Sequence, residues 1–152
     1  MLKTRVMPCL LLSDSRLVKT IKFANPTYIG DPVNAVKIYN EKEVDELILL
    51  DISATVNKKP PSFRTISEIS NECFMPLTYG GGIRNVDDMK KIFYSGVEKI
   101  SINSYAIENP SFIKQAAGLF GSQSIVVSID ARLERPGEYS VFSYGGRLKT
   151  KY

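Results

Sequence analysis

The chain has 152 residues, of which 43% are hydrophobic and 24% are charged, and its formal net charge is +4. This composition is typical of a soluble protein with one core, and it predicts a single domain. Lysine and arginine are spread along the sequence without a dense basic run. The positive charge suits an anionic small molecule, an acidic partner or nucleic acid. A mildly basic surface explains it better than nucleic-acid binding, so we expect no nucleic acid. The longest apolar stretches are the size of strands, so we expect neither a signal peptide nor a membrane span.

The absence of histidine restricts the chemistry. It excludes imidazole metal ligands, as well as a Ser-His or Cys-His nucleophile pair within this chain. Acid–base chemistry near neutral pH would fall to carboxylates, lysines or tyrosines, and we expect no metal and no cofactor. Cys9 and Cys73 lie far apart and form no CxxC pair, which indicates a reduced, cytoplasmic protein.

Strand-like and helix-like patterns alternate along the chain. The predicted strands cover residues 5–12, 46–52, 75–82, 98–103 and 124–130. The predicted helices cover residues 31–44, 61–73, 85–96 and 109–121. Asp31 and Asn85 are the expected N-caps of two of these helices. A hairpin is predicted over residues 138–152, with Gly145 and Gly146 at its turn.

This order of elements predicts βαβ units and a parallel sheet. Right-handed crossovers leave two candidates, an open doubly wound sheet and part of a (β/α)8 barrel. A doubly wound nucleotide-binding sheet would place its glycines after the first strand, whereas Gly80, Gly81 and Gly82 follow the third. We therefore favour the barrel. Five strands, four helices and a terminal hairpin make about half of one, so we expect residues 1–152 to be an N-terminal half-barrel without its C-terminal half.

Functional residues of parallel α/β folds gather at the carboxyl ends of the strands. Asp51 and Asp130 each end an otherwise apolar strand, although a turn or N-cap aspartate would look the same. The glycines after the third strand could present backbone N–H groups to an anion, although a bend at a barrel corner would also need glycine. Asn103 and Ser104 follow the next strand and could add donors, which predicts a phosphate site.

Charged residues lie at the opposite ends of three strands. Arg5, Glu46 and Lys99 would need partners if they faced the interior of the sheet, and a ring of all three would satisfy that need. Surface charge at the strand starts is the alternative. Strict alternation places Glu46 and Asp51 on opposite faces of one strand, so a bend or bulge would be required for both to point inward.

Taken together, these segments resemble the cyclase subunit of imidazole glycerol phosphate synthase, over almost the whole chain. The segments that carry the resemblance are RVMPCL, DSRLVK, GDPV, DELILLDISA, YGGGI, EKISINS, ENPS, FGSQSIVVSIDA and the YGG hairpin. The resemblance implies a (β/α)8 barrel made of two similar halves, of which this chain corresponds to the first. It also implies closure of an imidazole ring on a phosphorylated precursor of histidine, with ammonia from a partner glutaminase.

The resemblance also implies roles for individual positions. Asp130 would be one of two catalytic acids, and Arg5, Glu46 and Lys99 would belong to a charged gate where ammonia enters the barrel. The remaining positions would contact the substrate or its phosphate: Gly81, Gly82, Asn103, Ser104, Asp51 and Lys19, the last of these in the loop after the first strand.

One position departs from the family pattern. Leu11 stands where the family has its second catalytic aspartate, and leucine can neither give nor take a proton. Losing one positioned acid or base typically removes a factor of about 10²–10⁴ from the rate. The alternatives are therefore a barrel that delivers ammonia for sugar amidation in surface-polysaccharide synthesis, and a non-catalytic glutaminase-binding module or inactive fragment. We also expect a half-barrel to self-associate through its open sheet edges.

Overall fold

A computed structural model describes residues 4–152 and shows a mixed α/β fold with two sheets. The larger sheet has seven strands in the order β3-β2-β1-β4-β5-β6-β7. Its strands are β1 (Cys9–Ser13), β2 (Arg16–Ile21), β3 (Ala24–Gly30), β4 (Leu47–Asp51), β5 (Leu77–Gly80), β6 (Lys99–Ile102) and β7 (Ile125–Val127). The smaller sheet contains β8 (Asp130–Arg135), β9 (Glu138–Ser143) and β10 (Leu148–Lys149).

Five α-helices connect the strands within the described residues. They are α1 (Pro32–Glu41), α2 (Phe63–Ser70), α3 (Val86–Tyr94), α4 (Ser104–Glu108) and α5 (Pro110–Phe120), followed by a 3-10 turn at Ser122–Ser124. Two predicted N-caps are confirmed. The Asp31 carboxylate accepts a 3.0 Å hydrogen bond from the Asn34 N–H, and the Asn85 side chain accepts one of 2.7 Å from the Asp88 N–H. Each bond satisfies a backbone donor that the first helical turn leaves free.

The core lies between the helices and one face of the parallel strands. It includes Leu47 and Leu49 of β4, which are fully buried and pack with Ile66, Ile69 and Met89 of the helices. β1, β4, β5, β6 and β7 are parallel neighbours. This arrangement confirms the predicted fold class, a partial (β/α) barrel.

The first strand and the segment after it differ from the prediction. β1 begins at Cys9 rather than at residue 5, after a proline that cannot donate to a strand ladder. Residues 16–30, expected to contain a loop, form the antiparallel hairpin of β2 and β3 at one edge of the sheet. The turn between these strands contains Lys22 and Phe23, both with positive φ, a conformation that sequence patterns do not reveal for residues other than glycine.

The prediction that residues 124–130 form one strand is wrong. β7 ends at Val127, and Asp130 is the first residue of β8 in the smaller sheet. The predicted hairpin exists as β9 and β10, but β8 adds a third antiparallel strand to it. The short helix α4 was not predicted either. Asp130 therefore lies where the chain leaves the parallel sheet.

Candidate functional site

An ion cluster joins the segments that enter β1, β4 and β6. The Glu46 carboxylate accepts from the Arg5 guanidinium with one oxygen, and from Lys99 Nζ at 2.6 Å with the other. The Glu46 side chain is 7% exposed and that of Lys99 is 29% exposed. A buried carboxylate requires such compensation. The structure thus brings together the three residues of the predicted gate, at the amino ends of the parallel strands.

Regular alternation holds along β4, without the bend that two inward-pointing acids would need. Glu46 lies on the same face as Leu50, whereas Asp51 lies on the other. Asp51 Oδ1 accepts from the Ser53 N–H at 2.9 Å, the Ser53 hydroxyl at 2.8 Å and the Ala54 N–H at 3.0 Å. One Asp51 oxygen therefore stabilises the turn after the strand, as the turn interpretation of this aspartate expects.

A cavity of about 190 Å³ lies at the carboxyl ends of the parallel strands. Several predicted site residues line it: Asp51, Gly81, Gly82, Asn103, Ser104 and Asp130. Leu11 lines the same cavity. Lys19 is not among the lining residues and is exposed on β2, where it pairs with Thr27. The predicted strand-end residues and Leu11 therefore line one cavity, whereas Lys19 does not line it.

The glycines after β5 are required by the close approach of neighbouring backbone. Gly81 has φ +123°, and a Cβ there would lie 2.4 Å from the Asp51 carbonyl oxygen. Gly82 has φ +72°, and a Cβ there would lie 2.7 Å from the Lys59 carbonyl oxygen. L side chains rarely adopt these conformations. The Gly82 N–H donates to the Thr55 hydroxyl at 3.1 Å, so this predicted anion donor already has a partner.

Asn103 and Ser104 also have protein partners. Asn103 Nδ2 donates to the Ser128 carbonyl at 3.0 Å, and the Ser104 hydroxyl donates to Asn103 Oδ1 at 3.2 Å. Ser104 Oγ also accepts from the Tyr144 N–H at 2.9 Å. The turn between β9 and β10 is therefore hydrogen-bonded to the rim of the cavity.

Asp130 is half-buried at the cavity wall, and this burial raises the pKa of its carboxyl above the usual range. A raised pKa makes a carboxyl group a better proton donor near neutral pH. Leu11 lies next to Leu50 in the sheet, on the same cavity. The cavity wall therefore carries Asp130, together with a leucine at the position where the second catalytic acid was expected.

Comparison with known proteins decides the family. Residues 5–152 match the model of a family described as "Histidine biosynthesis protein". The chain belongs to this family. Two relatives, from Pseudomonas aeruginosa and Leptospira interrogans, are 55% and 53% identical over 99% of the chain, and their names begin "Putative imidazole glycerol phosphate synthase subunit". A third, the imidazole glycerol phosphate synthase subunit HisF of Streptococcus mutans, is 46% identical over 99% of the chain.

These findings confirm the resemblance to the cyclase subunit. The chain spans 60%, 59% and 60% of the lengths of these three family members. Within residues 4–152, no helix is long and apolar enough to cross a membrane. In the same part of the chain, no group of three or more cysteine, aspartate and glutamate side chains is placed to hold a metal ion.

Sequence reasoning missed several lining residues. Arg84 and Arg147 line the cavity, as do Ser128 and Phe23. Arg84 lies two residues after the glycine run, and this short distance was a signal that could have been used. Arg147 and Phe23 lie on hairpins whose folding over the cavity depends on tertiary contacts, and their sequence neighbours gave no such signal.

Proposed function

We propose that this chain supplies the amino-terminal strands of a barrel that takes ammonia from a glutaminase and delivers it to a phosphorylated, sugar-like substrate. The observation that carries the proposal is the arrangement at the two ends of the parallel strands. The Arg5–Glu46–Lys99 cluster lies at their amino ends, and the cavity with Asp130 and the predicted phosphate residues lies at their carboxyl ends. Ammonia would enter between the strands at the first end and react at the second.

Exposed apolar side chains in the segments that precede the strands support a protein partner at this end. Phe74 and Tyr94, in the segments that lead into β5 and β6, are 85% and 91% exposed. Val6 and Met7, just before β1, are 60% and 45% exposed. Exposed aromatic and aliphatic side chains around a charged centre are typical of protein interfaces. We expect the glutaminase to bind at this end of the strands.

The partner test uses the glutaminase subunit of the same organism. Phe74→Asp should weaken the complex about tenfold or more, because it places a charge in the apolar part of the interface. Leu133→Asp on β8, at a side chain that is 54% exposed, is the matched control and should leave the affinity unchanged. Absence of any complex with the unsubstituted chain would contradict the proposal that this surface receives ammonia from a glutaminase.

The reaction at the other end depends on Leu11. Because Leu11 stands where the resemblance implies the second catalytic acid, we expect little cyclisation of the histidine precursor, even with ammonium salt supplied. Leu11→Asp should raise the rate by about 10²–10⁴ if the rest of the site is intact. Leu10→Asp would bury a carboxylate in the core, so Leu50→Asp on the neighbouring strand, also at the cavity, is the better control and should not restore activity.

Leu11 also favours a second candidate function, ammonia delivery to another acceptor, such as a sugar amidated for surface-polysaccharide synthesis. The two functions differ in one measurement. If unsubstituted Leu11 protein turns over the histidine precursor at a rate close to that of the Leu11→Asp variant, the second acid is dispensable and the amidation alternative loses its support. If neither protein turns it over while the glutaminase complex forms, the acceptor is different or the chain acts only as a binding module.

A further inference from the structure

The turn between β9 and β10 is fixed by three hydrogen bonds, two of which join it to α4 beside the cavity. The Tyr144 N–H donates to Ser104 Oγ at 2.9 Å, and the Tyr144 hydroxyl donates to Glu108 Oε1 at 2.5 Å. From the other side, Arg132 donates to the Gly146 carbonyl at 3.3 Å. The cavity-lining residues Gly145 and Arg147 belong to this turn. The contacts with α4 therefore fix the place of Arg147 relative to the cavity.

Two arginines in the cavity lining lack a carboxylate partner. Arg84 and Arg147 form no ion pair within 4.0 Å among residues 4–152. The neighbouring Glu108 carboxylate already accepts the Tyr144 phenol, and this bond is the main reason why the pKa of Tyr144 is raised. The Arg84 charge acts on the same phenol in the opposite direction, which places Arg84 beside this turn. The end of the cavity near Ser104 is therefore cationic.

Three of the polar groups predicted to hold an anion at this end have hydrogen-bond partners within the protein. The Gly82 N–H is bonded to Thr55, Asn103 Nδ2 to the Ser128 carbonyl, and the Ser104 hydroxyl to Asn103. An anion could use them only by replacing these bonds. The two guanidinium groups have no carboxylate partner to give up among residues 4–152, and guanidinium groups bind phosphoryl oxygens with paired, charge-assisted hydrogen bonds.

We infer that Arg84 and Arg147 bind the phosphoryl group of the substrate and give the cavity its preference for dianionic ligands. This inference rests on the proposed function, because it concerns the same substrate. Tyr144 acts as a positioning residue, since its bonds to Ser104 and Glu108 hold the turn that carries Arg147. With the phosphoryl group at the arginines, the remainder of the substrate extends toward Asp130 and Leu11 at the other part of the cavity wall.

Calorimetric titration of the 152-residue chain with inorganic phosphate tests the inference. Arg84→Met and Arg147→Met should each weaken phosphate binding about tenfold, as expected for the loss of a charge-assisted hydrogen bond. Arg135→Met is the matched control, because Arg135 lies on β8 of the same small sheet and is 79% exposed, beside Glu138. Its removal changes the net charge equally but should leave phosphate affinity unchanged.

Salt dependence separates charge recognition from a structural role. Phosphate affinity of the unsubstituted chain should fall more steeply with added sodium chloride than that of either methionine variant, because the added ions screen the guanidinium charge. Arg147→Lys should recover part of the affinity, since it keeps the charge but loses the paired geometry. Tyr144→Phe should weaken binding by a smaller factor than Arg147→Met, because the backbone bond to Ser104 remains.

The possible results distinguish failure of the arginine inference from failure of the proposed function. If phosphate binds and Asn103→Ala abolishes binding while both methionine variants bind as tightly as the unsubstituted chain, the arginine inference is overturned and the phosphate site of the proposed function stands. If the unsubstituted chain binds no phosphate, both are overturned. If Arg135→Met and Arg147→Met weaken phosphate binding equally, the loss of affinity reflects only the change in net charge, and the inference is also overturned.

Discussion

Cationic side chains lie at both ends of the parallel strands, but only those at the amino ends have a carboxylate partner in the described residues. At the amino ends, Arg5 and Lys99 share the Glu46 carboxylate, so that each cation has an anionic partner. At the carboxyl ends, Arg84 and Arg147 have no carboxylate partner within residues 4–152, and burial raises the pKa of Asp130. Paired charges stabilise a fixed arrangement, whereas unpaired charges in a cavity favour a ligand. We therefore propose that small molecules bind at the carboxyl ends of the strands.

The backbone shows the same contrast. At the carboxyl ends, Gly81 and Gly82 hold positive φ angles with no room for a Cβ, and such conformations are found where surrounding structure enforces them. The entry to the strands has no comparable run of glycine: Leu77 and Lys99 begin β5 and β6 as ordinary extended residues. Substitutions should therefore destabilise the fold for different physical reasons at the two ends. The effect is steric at the carboxyl ends and electrostatic at the amino ends.

The largest expected effect is that of Gly81→Ala. The new methyl group would lie 2.4 Å from the Asp51 carbonyl oxygen and 2.8 Å from its Cβ, so β4 and β5 would have to separate. Backbone strain and overpacking together should lower the free energy of unfolding by about 3 kcal/mol or more. Urea denaturation followed by circular dichroism measures the loss.

Gly137→Ala is the control for this substitution. Gly137 also has positive φ, +81°, but a Cβ there would meet no atom within 4 Å. It should therefore cost only the conformational strain, about 1 kcal/mol. Equal losses in the two variants would show that the packing of the glycine run against Asp51 contributes nothing, and would weaken the contrast between the two ends.

The next largest effect is expected from Glu46→Ala. It leaves Lys99, 29% exposed, without its carboxylate partner and should cost about 1–3 kcal/mol in the free energy of unfolding. Arg5→Ala removes a side chain that is 60% exposed and should cost less than about 1 kcal/mol. Thermal unfolding of both variants at low and high salt tests this order, and a larger loss for Arg5→Ala would contradict the central place of Glu46.

The sequence predicted the repeating part of the fold better than the segments that cover the cavity. Strand and helix patterns placed β4, β5, β6 and α3 because their apolar periodicity follows from burial against one another. The β2–β3 hairpin and the break after Val127 escaped prediction, since positive φ at Lys22 and Phe23 and the departure of β8 from the sheet depend on tertiary contacts. A ring of Arg5, Glu46 and Lys99 was expected because charges that face the interior of a sheet need partners, and the three side chains form an ion cluster.

The site was predictable in position but not in detail. Asp130 lines the cavity although it begins β8 rather than ending a parallel strand. Gly82 and Ser104 were expected at the cavity because parallel strands end at one edge. Their hydrogen-bond partners were not, because Tyr144 and Thr55 reach them from loops distant in sequence. Arg147 escaped for the same reason: only the folded turn brings it to the cavity.

Self-association is the third effect in order of size. β3 and β7 form the edges of the larger sheet in the described residues, and Val127 and Ile129 at the β7 edge are 45% and 65% exposed. Unpaired apolar edges promote association. We propose that residues 1–152 associate at micromolar concentrations, and that Val127→Lys weakens this association about tenfold, by a charge on the edge.

Light scattering over a dilution series measures the association. Leu148→Lys on β10, where the side chain is 56% exposed outside the larger sheet, is the control and should leave the association unchanged. A monomer at tens of micromolar (the range in which weak association becomes visible), with β7 amides strongly protected from hydrogen exchange, would show that the edge is covered within the chain.

The smallest effect should be that of Asp130→Asn on stability. Because burial raises the pKa of Asp130 in the folded chain, the folded state binds more protons than the unfolded state between the usual carboxyl pKa and the raised one. The free energy of unfolding should therefore fall as pH rises through this interval, and the penalty of the buried charge is fully present above it. Asparagine removes that penalty, so the variant should be slightly more stable at pH 7, and the difference from the unsubstituted chain should vanish at low pH.

Asp87→Asn is the control with the opposite sign, since Asp87 lies in the first turn of α3, where a negative charge is stabilising. Urea denaturation at closely spaced pH values measures both differences, and a loss of stability in Asp130→Asn at pH 7 would mean that the Asp130 charge is stabilised by a cation, as Glu46 is at the other end of the strands.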